Sequence, residues 1–459
     1  MVVASARRAT FGDIDSMSRA IAERISAARI ESGCLMGFAA PNGPAFLAGF
    51  LALRRASQTA LLLDPISPPA DRRRALSVLG AKMVLECEKA WPSSISDFRL
   101  VPVGRGPALP LRPEIAAIKL TSGSTGAPRG VAMRSETLLA DEAALAVTMG
   151  FRDDDRLLSA IPLSHSYGFT TLALSALVRG LTLVLPADNG PFGALTAAAE
   201  LGATVFPTVP AYIRGVLKMS RPPAWPSIVR LVISAGAILP AATAAQFRHT
   251  YGQPVHVFYG SSECGGICYD REGNAAERGT VGTPVEGVRI SLKSPDHEGA
   301  DARRIVVESA GVGETYLPEP DPRLAEGCFE TSDVGTWHGG ELALLRRVDR
   351  VINMRGRKVD PSEVEEVLAA LDGVVEAVVI GVAPPDRREE IVRAVVACPV
   401  GRFNYEDIAA WCRSRLAEYK VPRSVVFVDA IPRTSRGKID RAALLDLPVS
   451  RKRSGEIHG

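Results

Sequence analysis

One stretch constrains this chain more than any other: Leu120-Thr-Ser-Gly-Ser-Thr-Gly-Ala-Pro-Arg-Gly130. It lies between two largely apolar runs, Ala116 to Leu120 and Val131 to Met133, and so reads as a strand, a loop and a second strand. Gly123 and Gly126 permit positive φ and close approach of backbone. Thr121, Ser122, Ser124 and Thr125 add hydroxyl donors to the amide N–H groups, making a concavity suited to a polyphosphate. Arg129 follows Pro128 with a positive charge. A flexible serine and glycine connector has the same composition, and the loop alone does not separate the two. A P-loop nucleotide site is excluded, because it needs Lys-Ser or Lys-Thr after the glycines and a helix directly behind.

The rest of the chain supplies layers for such a loop. Ile14, Met17, Ile21, Ile25 and Ala28 recur at helical spacing, so residues 11 to 30 predict a packing helix. Asn42-Gly-Pro44 opens a second helix with Pro44 in its first turn. Strand and helix signals then alternate through Ala60 to Leu63, Asp71 to Leu79, Met83 to Leu85, Glu136 to Thr148 and Leu181 to Leu185. That alternation predicts an α/β fold with a largely parallel sheet. Residues 301 to 319 turn glycine-rich and β-like, and near Arg346 to Asp349 a separate small α+β domain begins. There Asp360-Pro-Ser-Glu363 predicts a helix start, with Asp360 as N-cap and Glu363 closing a capping box. The runs Val374 to Val382 and Ile391 to Cys398 supply its sheet. The expected domains are residues 1–347 and 348–447, with a flexible tail over 448–459.

Composition removes several classes of function. With 459 residues the chain exceeds one core, and roughly two to four domains are expected. Lys and Arg number 54 against 51 Asp and Glu, which leaves no footprint for nucleic acid; the basic run Arg451-Lys-Arg453 reads as a solvated end. No apolar run approaches the ~18 residues of a membrane span, and no export leader is evident. The seven cysteines are scattered, odd in number and without Cys-x-x-Cys, which argues against a disulfide framework or structural zinc and for reduced thiols in a cytoplasm.

The loop resembles the phosphate loop of the adenylate-forming superfamily of acyl-CoA synthetases, adenylation domains and luciferases, with Arg129 in place of the usual lysine. Further stretches resemble that family in the same order, from about residue 10 to about 447, although the chain begins late and an N-terminal segment common in relatives is expected to be missing. Ile161-Pro-Leu-Ser-His-Ser-Tyr-Gly168 looks like its Pro-x-x-His-x-x-Gly segment, which makes His165 a gate or wall of the acyl pocket. Ser234-Ala-Gly-Ala237 and Tyr259-Gly-Ser-Ser-Glu263 look like the two sides of its adenine site. Gly236 and Ala237 would pack on one face, and Tyr259 beside Gly260 on the other. Ser262, in place of threonine, keeps a hydroxyl for the α-phosphate, and Glu263 is the hard oxygen ligand that Mg²⁺ takes. Phe329-Glu-Thr-Ser-Asp-Val-Gly335 implies Asp333 on the ribose hydroxyls, with Ser332 where glycine is usual. Arg347-Val-Asp349 implies a ribose and phosphate contact at Arg347 and a hinge at Asp349, with Arg346 replacing a glycine. Pro432-Arg-Thr-Ser-Arg-Gly-Lys438 implies that Lys438 bridges substrate carboxylate and α-phosphate.

The resemblance implies a large N-terminal domain of two α/β sheets and a distorted β-barrel, and a small mobile C-terminal domain. The implied reaction is activation of a carboxylic acid by MgATP to an acyl-adenylate, then transfer to the thiol of coenzyme A. A phosphopantetheine carrier protein is the alternative acceptor, and a degenerate acyl- or adenylate-binding protein without turnover is the alternative to an enzyme. The acyl pocket would draw on Tyr167, Phe169, Phe206, Tyr212, Ala235, Gly265 and Gly266. The segments that carry these residues contain no Asp or Glu, which predicts a non-amino acid of aryl or medium-chain type, since an ammonium would be buried unpaired. Gly356, between Arg355 and Arg357, would leave the thiol tunnel open, and no fused carrier domain follows Leu447, which favours free coenzyme A.

Overall fold

A computed structural model of the chain describes residues 1–103, 111–121, 128–188, 190–219, 221–294, 303–347, 352–354, 357–382, 391–434 and 439–448. It divides into two compact units, Met1–Leu345 and Arg346–Gly459. Of the expected site residues, Ser122, Gly123, Ser124, Thr125, Gly126, Asp349, Gly356 and Lys438 lie outside the described residues.

The first unit is built on two sheets whose central strands are parallel. One runs in the order Thr283–Pro284, Gly265–Tyr269, His256–Ser261, Leu231–Ala235, Val205–Thr208, Arg156–Leu158, Thr182–Val184, Val2–Ala4, Arg7–Ala9. Its strands from His256–Ser261 to Val2–Ala4 pair in parallel, and the outer strands are antiparallel. The other runs Thr315–Leu317, Arg129–Arg134, Ile115–Thr121, Thr59–Leu63, Leu35–Ala39, Met83–Cys87, Phe98–Pro102, again parallel in the middle. A third, antiparallel sheet of Arg289–Lys293, Arg304–Glu308, Cys328–His338, Leu324–Ala325 and Glu341–Arg347 stands where the resemblance implies a distorted barrel.

The local reasons are those of the sequence, with corrections. The helix Phe11–Ala27 buries Ile14, Ile21 and Ile25 and starts in a capping box between Thr10 and Asp13. Ala28 is its exposed C-cap rather than part of the stripe. Pro44 opens Pro44–Arg55 as expected. Continuous burial of Leu35–Ala39 and Thr59–Leu63 marks strands covered on both faces.

The second unit pairs Glu376–Val382, Ile391–Ala397 and Ser424–Val428 in a sheet, beside the hairpin Ile352–Met354 and Arg357–Val359. Asp360 caps Pro361–Ala369 through the Ser362 amide, at 2.9 Å. The expected capping box does not close: Glu363 is drawn away by Lys420, whose Nζ lies 2.6 Å from its Oε1. A full charge outcompetes one backbone amide.

One buried cluster joins the starts of three neighbouring strands, Arg156–Leu158, Val205–Thr208 and Leu231–Ala235. Asp155 is 2% exposed and accepts hydrogen bonds from Arg230, from the Thr204 hydroxyl at 2.7 Å and from the Arg152 amide at 2.8 Å. Burial alone would raise its carboxyl, but these bonds outweigh it and hold it below the usual carboxylate range. Asp155→Ala is expected to lower the unfolding free energy by about 3 kcal/mol at neutral pH, by leaving Arg230 without its buried anion. Because the folded carboxyl titrates below its unfolded value, this contribution is complete above the usual carboxylate range and is lost as pH falls through the depressed value. Urea unfolding of both proteins should show the gap constant near neutrality and shrinking in acid.

Candidate functional site

Parallel strands all deliver their following loops to one edge, and in open α/β sheets ligands bind there. The sequence-predicted residues of the first unit collect at these edges. Thr121 ends Ile115–Thr121, Ala235 ends Leu231–Ala235, and Tyr259 and Gly260 lie near the end of His256–Ser261. Tyr212 follows Val205–Thr208, on the helix Pro210–Leu217, and His165 follows Arg156–Leu158.

The two large sheets are tied at these edges. Asn42, after Leu35–Ala39, donates to the carbonyls of Ser159 (3.1 Å) and Ile161 (2.8 Å) and accepts from the Leu163 amide at 2.8 Å. Asp64, after Thr59–Leu63, is 2% exposed; its Oδ2 lies 3.2 Å from His165 Nε2 while Oδ1 accepts from the Ile66 amide at 3.1 Å. His165 is thus held by a buried carboxylate, a partner 101 residues away that no local motif could reveal. Tyr167 donates from its hydroxyl to the Ile233 carbonyl at 3.3 Å and packs on Phe258, with ring centroids 5.4 Å apart.

The turn after Leu231–Ala235 opens outward. Ser234 and Ala235 belong to the strand, while Gly236 has φ +83° and both it and Ala237 are exposed. Nothing lies within 4 Å of where a Gly236 side chain would start, so a flat group can approach. Tyr259 Oη donates to Asp333 Oδ2 at 2.6 Å, joining two motifs 74 residues apart. Burial and the Asp333 charge push the Tyr259 hydroxyl well above its usual range, so it stays a donor. Asp333 lies in the strand Cys328–His338, its amide bonded to Thr331 Oγ1 at 3.0 Å. Ser332 needs no glycine backbone there, since its φ is not positive, and its hydroxyl accepts from Arg323.

A second network surrounds Glu263. Its Oε1 accepts from the Tyr316 hydroxyl at 2.9 Å, and burial together with the Glu263 charge raises that hydroxyl. The Arg129 guanidinium stacks 4.1 Å from the Tyr316 ring centroid and reaches Asp321 Oδ2 at 3.3 Å. Asp321 is held below the usual carboxylate range, first by the Arg323 hydrogen bond. The Arg129 departure therefore has a physical use: a planar fork can stack on a ring and pair with a carboxylate together, which an ammonium does less well. Ser262 is partly exposed at the hairpin tip, where Ser261 Oγ accepts from the amides of Glu263 and Cys264. Glu263 is one carboxylate with one oxygen engaged by a neutral hydroxyl. That fits Mg²⁺, which takes one or two protein carboxylates and completes its shell with phosphates and water.

Two expected pocket walls are core rings instead. Phe169 is fully buried and meets Phe46 and Phe50 edge-on, with centroids 6.3 and 5.0 Å away. Phe206 is 1% exposed and packs on Trp225 at 4.9 Å, in a cluster with Phe247 and Tyr251. The direction of a side chain on the π-helical turn Phe169–Leu174 or on the short strand Val205–Thr208 is set by what packs against it, which sequence order alone did not settle. Tyr167 and Tyr212 remain partly exposed. Arg347 closes Glu341–Arg347 and falls in the second unit.

Sequence reasoning also missed a carboxylate behind the pocket segments. Asp141, on the helix Ser135–Thr148 and 4% exposed, accepts from the Gly266 amide at 3.0 Å. Facing it is Lys119, 1% exposed. The one signal available was a lysine inside an otherwise buried strand.

With the geometry in view, comparison with known proteins is decisive about the class. Residues 1–317 match the family described as AMP-binding enzyme, and residues 363–438 match the AMP-binding enzyme C-terminal domain. The chain belongs to the AMP-binding enzyme family, whose members activate carboxylic acids as acyl-adenylates. A feruloyl-CoA synthase from Amycolatopsis is 28% identical over 456 residues, 94% of this chain and 92% of that protein. An oxalate–CoA ligase from Arabidopsis thaliana is 28% identical over 467 residues, 93% and 91% of the two chains. The o-succinylbenzoate CoA synthetase of Bacillus subtilis, solved with its acyl-adenylate intermediate, superposes with a TM-score of 0.82 at 22% identity over 98% of this chain and 96% of that one. No helix among the described residues is long and apolar enough to cross a membrane.

Gly265 leaves no room for a side chain. Its φ is +69°, and a Cβ there would lie 2.2 Å from the Asp141 carboxylate. Gly265→Ala is expected to cost about 2–5 kcal/mol in urea unfolding, from backbone strain and overpacking together.

Proposed function

We propose that this chain is an AMP-forming acid–thiol ligase that activates a non-amino carboxylic acid, aryl or medium-chain, and passes it to free coenzyme A. The observation that carries this reading is the 2.6 Å bond between Tyr259 and Asp333, which puts an aromatic face and a diol-accepting carboxylate side by side at the edge of the parallel strands. Adenine lies between Tyr259, with Gly260, and the Gly236-Ala237 turn. Asp333 accepts from the ribose hydroxyls. The phosphate loop from Thr121 to Gly126, Ser262 and Arg347 receive the phosphates, and Glu263 holds Mg²⁺. Bound there, the ion would supply charge neutralisation to the phosphates. Arg129 serves here through Tyr316, steadying the hydroxyl bonded to Glu263.

Catalysis in this reading is positioning and charge stabilisation, with Lys438 placed on substrate carboxylate and α-phosphate in the first half-reaction only. Asp349 is the hinge of the small domain, residues 348–447, and Gly356 keeps the thiol passage open. The acid is recognised beside Tyr167, Tyr212, Ala235 and the Gly265-Gly266 backbone, with His165 as its gate. Asp141, whose carboxylate lies against Gly265, is buried and faces Lys119, so it is not open to an α-ammonium group. The name of the feruloyl-CoA synthase, an aryl-acid enzyme, supports the aryl alternative, whereas that of the oxalate–CoA ligase shows how widely acids vary at this level of identity. Seven free cysteines agree with a reducing cytoplasm as the place of action.

Incubating the protein with MgATP, coenzyme A and a panel of acids tests this directly. Pyrophosphate release and acyl-CoA by mass spectrometry are expected with benzoate- or octanoate-like acids. Preferential turnover of α-amino acids, or an adenylate that waits for a carrier protein, would overturn the reading. Tyr259→Phe is expected to raise the KM for ATP about 10-fold or more by loss of a bond to a charged group, with the KM for the acid unchanged. Lys438→Ala is expected to reduce adenylation by several orders of magnitude while sparing thioester formation from supplied acyl-adenylate. Equal loss in both half-reactions would count against its role.

A further inference from the structure

Among the described residues, Lys119 is the one charged side chain in the set of largest fully buried ones. It sits on Ile115–Thr121, two residues before Thr121, with its ammonium in the interior. Its hydrogen bond is weak: Nζ lies 3.4 Å from Thr170 Oγ1. Thr170 belongs to the π-helical turn Phe169–Leu174, directly after the His165 segment. Beyond the hydroxyl stands Asp141, and the cation also feels Cys264 and Glu263. Burial draws the lysine below its usual range, opposed first by Asp141, and raises Asp141, opposed first by Lys119.

Stability alone does not explain such an arrangement. Two desolvated charges without a direct ion pair gain little over apolar residues of the same volume, and the desolvation of each is costly. What the arrangement does is topological. Asp141 receives the Gly266 amide, and Gly265 lies so close that no side chain fits between. Gly265 follows Glu263 by two residues, so the helix Ser135–Thr148 carries the hairpin that presents Glu263. Thr170 carries the segment of His165. Lys119 carries the strand that runs into the phosphate loop. Three motif-bearing segments converge on one buried cation.

We infer that Lys119, Thr170 and Asp141 form a positioning triad that sets Glu263 and the phosphate loop in register for adenylation. The inference rests on the functional reading above. Misplacement of reacting groups by ~1 Å costs about 100-fold in rate, so a shared internal charge is enough to matter. The triad touches no substrate; it acts through Glu263 and Thr121.

Charge-free replacement separates positioning from packing. Lys119→Met and Asp141→Asn singly leave an unmatched buried charge and are expected to lower Tm. The double variant Lys119→Met/Asp141→Asn keeps volume and the acceptor for Gly266, and is expected to return Tm to within about 3 °C of wild type. Its adenylation kcat is expected to stay about 10- to 100-fold down with the KM for the acid unchanged, and thioester formation from supplied acyl-adenylate is expected to be normal. Thr170→Val, which leaves both charges in place, should lower adenylation several-fold at near-native Tm and decides the matter if the double variant does not fold. Recovery of wild-type adenylation together with Tm in the double variant, or a Thr170→Val protein indistinguishable from wild type, would overturn the inference. Calorimetric titration with MgATP gives a readout independent of turnover: about 10-fold weaker binding in the double variant is expected, and unchanged affinity counts against the triad. A wild-type protein that binds MgATP but releases no pyrophosphate with any acid would fail the functional reading, while the affinity comparison still judges the triad.

Discussion

Parallel strand pairing is the constraint on which the site depends. Strands that run the same way must return across the sheet, so every chain leaves at the same edge. In the first unit this gathers Thr121, Ala235, Tyr259 and the His165 segment without any of them being close in sequence. Asn42 and Asp64 then tie the edge of one sheet to the edge segment of the other. Hydrogen bonds to a half-buried amide and a buried carboxylate are costly to break, so the joint is stiff. A stiff joint is what a reaction driven by positioning requires.

The site is polar but sparing with charge. Asp321 balances Arg129 and Arg323, Lys119 faces Asp141, and neutral hydroxyls sit on Glu263 and Asp333. Tyrosines are suited to that last task, because a hydroxyl raised by burial stays a donor while its ring covers apolar surface. In the proposed function Glu263 faces a metal and Asp333 faces hydroxyl donors. The arginine that replaces the usual lysine at position 129 belongs to the same logic, since stacking on Tyr316 links the phosphate-loop strand to the Glu263 network.

How much of this was legible beforehand depended on distance along the chain. Short-range physics was readable: Pro44 and Asp360 open helices as expected, and the apolar runs on either side of the phosphate loop form strands as expected. Where a local rule met a distant charge, the local rule lost. Glu363 abandons its capping box for Lys420, 57 residues away. Phe169 and Phe206 bore the right chemistry for a pocket wall but face the core, because the direction of a side chain on an irregular turn or a short strand depends on what packs against it.

The sequence by itself determined the α/β class, which follows from periodicity within a few residues, and, through its resemblance to a known family, the order of the motifs and the chemical type of each candidate group. Only the tertiary structure decided which groups meet. Tyr259 finds Asp333, His165 finds Asp64, Glu263 finds Tyr316, and Lys119 faces Asp141. Each of these partners comes from a different element, and a contact between elements is set by strand order and by burial, neither of which is written in any local stretch of residues.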